Sequence, residues 1–248
     1  MGRPAENGHS LVELMIGISL GVILLLGVSL IFSAFHRSFL AQQADLQITR
    51  QGQAAIDFLD QTMRQSGSRT QPWNQPPLAA IGDASANSNN GSDSIELILQ
   101  SDYNCFGNLN PLTGPDGLAL SGIKTHRFGR PAGSERLAWF CSYEVAGHGT
   151  VVQVNNQTLV DGVDAFEIRY AEDLDGDGSP NRWVSAGDWA NPADVIQLEY
   201  ALLINAGYSP VPGAASSYTV LGQLIGSFTD DWARQVFGSK VAIRNRPG

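Results

Sequence analysis

Hydrophobic and polar positions divide the chain into three regimes. From Leu14 to Phe35 the sequence runs for 22 residues without a charge, and about 20 apolar residues suffice for a helix to cross a bilayer core of roughly 30 Å. The run is too long for the apolar core of a cleaved secretory signal, and no small-x-small site follows it, so it reads as a retained span. Beyond it, Gly52, Ala55, Ile56, Leu59 and Met63 recur every three or four residues among polar neighbours, which predicts an amphipathic helix. No proline interrupts the chain between Pro4 and Pro72, and Gly67 stands where a C-terminal cap belongs. One helix is therefore predicted from about His9 to Ser66, roughly 87 Å long at 1.5 Å per residue.

Residues 68–93 are rich in Pro, Asn, Ser and Gly and read as a surface loop. From Ser94 the pattern changes to short β-branched and aromatic runs bounded by turn residues: SIELILQS, IKTHRF, RLAWFCSYEV, TVVQV, AFEIRYAED and VIQLEYALLI. Helices do not alternate with them, which argues against a parallel doubly wound sheet. The expected fold class is α+β, with an antiparallel β-sheet head packed on the outer half of a long helix.

Composition narrows the roles. The formal net charge is −9 and only 15 Lys and Arg are spread along the chain, so no basic face for nucleic acid is present. HExxH and P-loop motifs are absent, the G-x-S-x-G match at residues 17–21 lies inside the apolar run, and the chain is not expected to be an enzyme. His126 and His148 are solitary and read as strand or surface residues. Trp139, Trp183, Trp189 and Trp232 are either core and edge aromatics or a sugar-binding face.

Glu13 stands at the mouth of the span. Ser10-Leu11-Val12-Glu13 has the form of a capping box, and a carboxylate suits a helix N-terminus. The stretch Gly8-His9-Ser10-Leu11-Val12-Glu13-Leu14, followed by the apolar run, also resembles the class III signal of type IV pilins and of type II secretion pseudopilins. That resemblance implies a leader at residues 1–8, cleavage between Gly8 and His9 by a prepilin peptidase, N-methylation of His9, and Glu13 as the fifth residue of the mature chain. His9 stands where the family usually has Phe, and the span lacks the proline of many major pilins. Residues four apart share a helix face, so a mature amine and Glu13 are suitably placed for pairing, within one chain or between neighbouring subunits. Glu13 is thus a cap, an assembly charge, or both. The implied organisation is residues 9–35 as the transmembrane half of the helix, 36–67 as its amphipathic periplasmic half, and 68–248 as a periplasmic head. The protein would sit in the bacterial inner membrane as a single-pass chain, and later at the pilus or cell surface.

The oxidising compartment gives Cys105 and Cys141 a meaning. A disulfide between them closes a loop of about 36 residues, worth roughly 4 kcal/mol in the chain-entropy account; the alternative is two reduced thiols. In the head, Val163, Phe166 and Tyr170, the acidic turn Asp173–Gly178, and the terminal Arg244-Asn245-Arg246 on a final strand resemble PilW-type minor pilins, with GspJ-type pseudopilins as the nearest competitor. The resemblance implies a non-enzymatic subunit that primes pilus assembly at or near the tip. Its partners would be other minor pilins, the major pilin, the inner-membrane assembly platform and a large tip adhesin. The alternatives are a secretion pseudopilin and a tip subunit that binds surfaces or glycans. Asp173, Asp175 and Asp177 match the first half of an EF-hand loop, but position twelve is Val184 rather than Glu. No cofactor is required; Ca²⁺ at these three residues and a plain Asp/Gly turn are both compatible with the pattern.

Overall fold

The computed structural model describes residues 11–70, 78–88, 93–208, 217–230 and 232–245. A single helix, α1, runs Leu11–Gln65. At 1.5 Å per residue its 55 residues span roughly 82 Å. Ala44, Ile48, Gly52, Ala55, Leu59, Thr62 and Met63 are buried along one face. The stripe thus begins two turns earlier than the sequence pattern alone indicates. The apolar stretch of α1 near the N-terminus is not covered by the head at all. The helix stops at Gly67, whose φ of 73° is the left-handed conformation glycine adopts at low cost.

The head contains two antiparallel four-stranded sheets. The first has the order β1(Ser94–Ser101), β2(Gly122–Gly129), β3(Arg136–Val145) and β4(Gly149–Asp161). The second has the order β10(Arg234–Ala242), β7(Val195–Asn205), β5(Val163–Glu172) and β6(Arg182–Val184). A hairpin of β8(Ser217–Val220) and β9(Gln223–Gly226) completes the set. The α+β expectation holds, with two sheets. Strand β1 alternates buried and half-buried residues, as a strand with one covered face should. Strand β7 is almost wholly buried. One of its faces meets the core under α1. On the other, Ala201 and Leu203 pack with Ala165 beneath Val220 and Ile225 of the hairpin.

The stem is fastened at three levels. Highest is its C-terminal end, where the Gly67 N–H donates to the Ile98 carbonyl (2.7 Å) and the Asn245 side chain donates to the carbonyls of Arg64 and Ser66 (both 3.3 Å). These are carbonyls that a helix end leaves without intrahelical partners. In the middle, Tyr200 reaches from β7 to donate to the Ile56 carbonyl (3.1 Å) and the Asp60 carboxylate (2.7 Å). Burial and that carboxylate push the Tyr200 hydroxyl pKa well up. Lowest is Gly52, buried against the Phe237 ring of β10. A Cβ built on Gly52 would lie 2.5 Å from that ring. Gly52 is therefore a point of close approach between stem and sheet.

An aromatic cluster joins the stem to the first sheet. Phe58 of α1 meets Phe128 and Trp139 edge-on, with ring centroids 5.9 and 5.3 Å away. His126 stacks with both Phe128 and Trp139. Its Nδ1 accepts a hydrogen bond from Trp139 Nε1 (3.1 Å), which requires that nitrogen to be unprotonated. Burial first, and Lys124 second, bring the His126 pKa down from 6.5 to about 4.

Two outcomes follow. Gly52→Ala gains about 1 kcal/mol of helix propensity but overpacks the Phe237 contact at a cost of about 1–3 kcal/mol. The melting temperature of the detergent-solubilised chain should fall by a few degrees, and Phe237→Leu should recover most of the loss; additive losses would refute the contact. His126 has a folded pKa below its unfolded value, so the unfolded chain takes up its proton first. The stability His126 contributes is present above pH 6.5 and is lost as pH falls towards about 4. Asp93, whose carboxyl is raised chiefly by burial, works in the opposite sense, so the comparison is made with a variant. His126→Phe should flatten the acid limb of a denaturant-midpoint-versus-pH profile, and an unchanged slope would place the proton elsewhere.

Candidate functional site

The sites predicted from sequence lie far apart. Gly8 and His9, the expected cleavage and methylation positions, lie outside the described residues, as does Arg246. Glu13 is in the first turn of α1 and exposed, directly ahead of the uncovered apolar stretch. Leu14, Met15, Ile16 and Ile18 beyond it are between 54% and 62% exposed. A carboxylate at the end of a bare apolar helix is costly in lipid, about 2.5–3.5 kcal/mol at the bilayer centre and less near its edge. A cation beside it would offset that cost.

Cys105 and Cys141 are joined in a disulfide with a Cα–Cα separation of 6.1 Å. Cys141 is fully buried on β3, and Cys105 lies in the connection between β1 and β2. The bond pins that connection to the sheet, and the Cys105 N–H donates to Gln153 Oε1 (2.7 Å) beside it.

Asp173, Asp175 and Asp177 have carboxylate oxygens all within 4.8 Å of one another. They lie between β5 and β6, strands rather than EF-hand helices. Asp173 is buried and accepts from the backbone N–H groups of Gly176 (2.8 Å) and Gly178 (3.0 Å). Asp175 accepts from the Asn181 side chain (3.2 Å), and Asp177 from the Ser179 N–H (2.7 Å). At the neck of the turn, fully buried Glu172 holds Arg182 and the Ala190 N–H. Each acid therefore has a turn-forming partner without a cation.

The remaining candidates separate. β10 ends at Ala242, so Arg244 and Asn245 lie past the final strand rather than on it. Arg244 is exposed, and Asn245 takes up the stem carbonyls described above. The four described tryptophans do not form one surface: Trp139 is in the stem-facing cluster, Trp189 packs edge-on against Tyr170 (4.8 Å), Trp183 lies under the Lys240 ammonium (4.4 Å), and Trp232 lies beside Arg234. His148 lines a crevice beside the β3–β4 turn.

One group had no signal in sequence. Arg234, with its side chain only 1% exposed, bonds Asp164 (2.6 Å) and Asp230 (2.6 Å) and stacks over Phe228 (3.8 Å). A buried guanidinium needs such partners, and here it fixes the approach to β10.

Comparison with known proteins agrees with this architecture. The family described as type IV pilus-assembly protein W matches residues 137–245, somewhat under half of the chain, from β3 through β10 to the Asn245 clamp. No curated protein matches. Among solved structures, the type IV-like pilin TTHA1219 from Thermus thermophilus is similar with a TM-score of 0.52 and 16% identity, over 82% of this chain and 100% of that one. At that identity the likeness is one of fold. Both similarities are to structural pilins and neither is to an enzyme family. A bare apolar stem and a stem-clamping head give the chain a pilin-like fold, and over residues 137–245 that head is similar to the family of type IV pilus-assembly protein W.

Proposed function

We propose that the protein is a minor pilin that primes type IV pilus assembly, at or near the tip, and acts by packing rather than by chemistry. The observation that carries this reading is the division of one helix, with the outer part clamped under the head and the inner part uncovered behind Glu13. An apolar surface of that length needs lipid before assembly and neighbouring stems after it. The head is proposed to face the periplasm, where the Cys105–Cys141 bond persists. A prepilin peptidase would separate Gly8 from His9, and methylation would follow on His9. The new amine would lie within a helical turn of Glu13, able to pair with the Glu13 of a neighbouring subunit. The partners are other minor pilins, the major pilin and the inner-membrane assembly platform. The scattered tryptophans give direct glycan binding no support.

Glu13→Gln keeps an acceptor for a cap bond and removes the charge. Surface pili scored after shearing should fall at least several-fold, while the chain stays membrane-inserted at its normal level. Normal piliation would reduce Glu13 to a cap. Deleting the gene should lower piliation and leave secreted enzymes unchanged; the reverse pattern would make the protein a secretion pseudopilin.

For Asp173, Asp175 and Asp177 we propose weak Ca²⁺ binding, supported by three carboxylates held within 4.8 Å whose mutual repulsion a cation relieves. Millimolar Ca²⁺ should raise the melting temperature above that in chelator by a few degrees, and Asp175→Asn should abolish the rise. An identical midpoint with and without Ca²⁺ would leave the turn a turn.

A further inference from the structure

At one end of the first sheet, β1 ends, β2 begins and the β3–β4 turn lies between Val145 and Gly149. This end adjoins the place where the chain leaves the stem. The Gln100 N–H donates to the Ser68 carbonyl (2.8 Å), and the Thr70 and Ser121 hydroxyls are 2.6 Å apart. It is therefore separated from the membrane end by the length of α1.

The β1–β2 connection, residues 102–121, displays large apolar side chains here: Tyr103 is 52% exposed, Phe106 63%, Leu109 56% and Leu118 65%. Val151 of β4 adds a fifth at 58%. Exposed apolar residues are ordinary singly, but a group of them marks an interaction surface. They do not stand on a loop free to fold them inward. The disulfide ties the connection to β3, the Tyr143 hydroxyl donates to the Ser101 carbonyl (2.9 Å), and the Asn110 side chain donates to the Leu120 carbonyl (2.7 Å). Two small bridges, Tyr103 with Leu109 and Thr113 with Ala119, stiffen it further. Between this frame and the β3–β4 hairpin lies an apolar crevice of about 330 Å³, lined by Pro111, Leu112, Tyr143, Val145, His148 and Val151 among others. A volume of that order admits one or two large apolar side chains.

The charges around it are unequal. Asp102, Asp116 and Glu144 lie at this end with two cations among the described residues, Lys124, whose pKa burial draws down, and Arg69 between the Ser68 and Thr70 contacts. A membrane is excluded as the occupant because the span is at the opposite end of the stem. A second copy would set these carboxylates against their own kind, in a chain of formal charge −9. We infer that the disulfide-framed connection at residues 102–121 and its crevice form a docking surface for a different protein, one that inserts an apolar side chain flanked by Lys or Arg. The surface lies on the side of the head away from the membrane, so its occupant sits ahead of this subunit rather than beside its stem. This inference rests on the head and on α1 as a membrane span, and not on the pilus reading.

The test is a photo-crosslinking side chain at Leu109 in the full chain, made in the cells that normally produce it, with Leu224 as a control on β9 (75% exposed). The expected result is an adduct from position 109 with a chain other than itself. Its crosslinked segment, read by mass spectrometry, should hold an apolar residue within a few positions of Lys or Arg. Phe106→Ser with Leu118→Ser should reduce the yield at least tenfold, with the Cys105–Cys141 bond still formed on non-reducing gels. A self-adduct, an acidic or wholly polar captured segment, equal yield from position 224, or no adduct would overturn the inference. An adduct meeting the criteria on a protein unconnected with pili would uphold the surface and count against the pilus reading.

Discussion

The constraint on which the rest depends is the uneven covering of one helix. Hydrophobic association is roughly proportional to the apolar area removed from water. The head removes only the stripe from Ala44 to Met63. The membrane-end portion is as apolar as any core and wholly uncovered, so the folded chain is stable only against a second apolar phase. Lipid and a bundle of like stems both supply one, and a subunit that exchanges the first for the second is what assembly at a membrane requires. The head's contribution is to hold the outer half of the stem in place.

That grip rests on close approach rather than on a wide greasy face. The buried stem positions are mostly small or slender: Ala44, Gly52 and Ala55 alternate with Ile48, Leu59 and Met63. Small positions let β10 lie near the helix axis, with Phe237 filling the gap at Gly52. The polar ties then fix rotation and height: Tyr200 to Ile56 and Asp60, and Asn245 to the last carbonyls. Buried Arg234 matters for the same reason, since it positions the strand that supplies Phe237.

Much of this was legible from periodicity. The span, the amphipathic continuation, the stop at Gly67 and the main strand runs all follow from local pattern, and local pattern is what sequence carries most directly. The illegible parts depend on distant partners. Two sheets rather than one could not be read, because β7 is buried on both faces and so shows no alternation. The hairpin β8–β9 escaped because each strand has only four residues. Gly52 read as one more position of the helical stripe, and Asn245 as the end of a strand, until residues 185 and 179 positions away in sequence gave them roles. The turn at 173–177 was visible as an acidic pattern, but the backbone donors that occupy Asp173 were not.

Whether this stem leaves lipid to join a fibre after its leader is removed is read by mass spectrometry of pili sheared from cells and washed free of membrane. Low-abundance peptides of this chain that begin at His9 with a methylated amine are expected, together with a Cys105–Cys141-linked pair. A chain found only in the membrane fraction, and still carrying residues 1–8, would contradict that expectation.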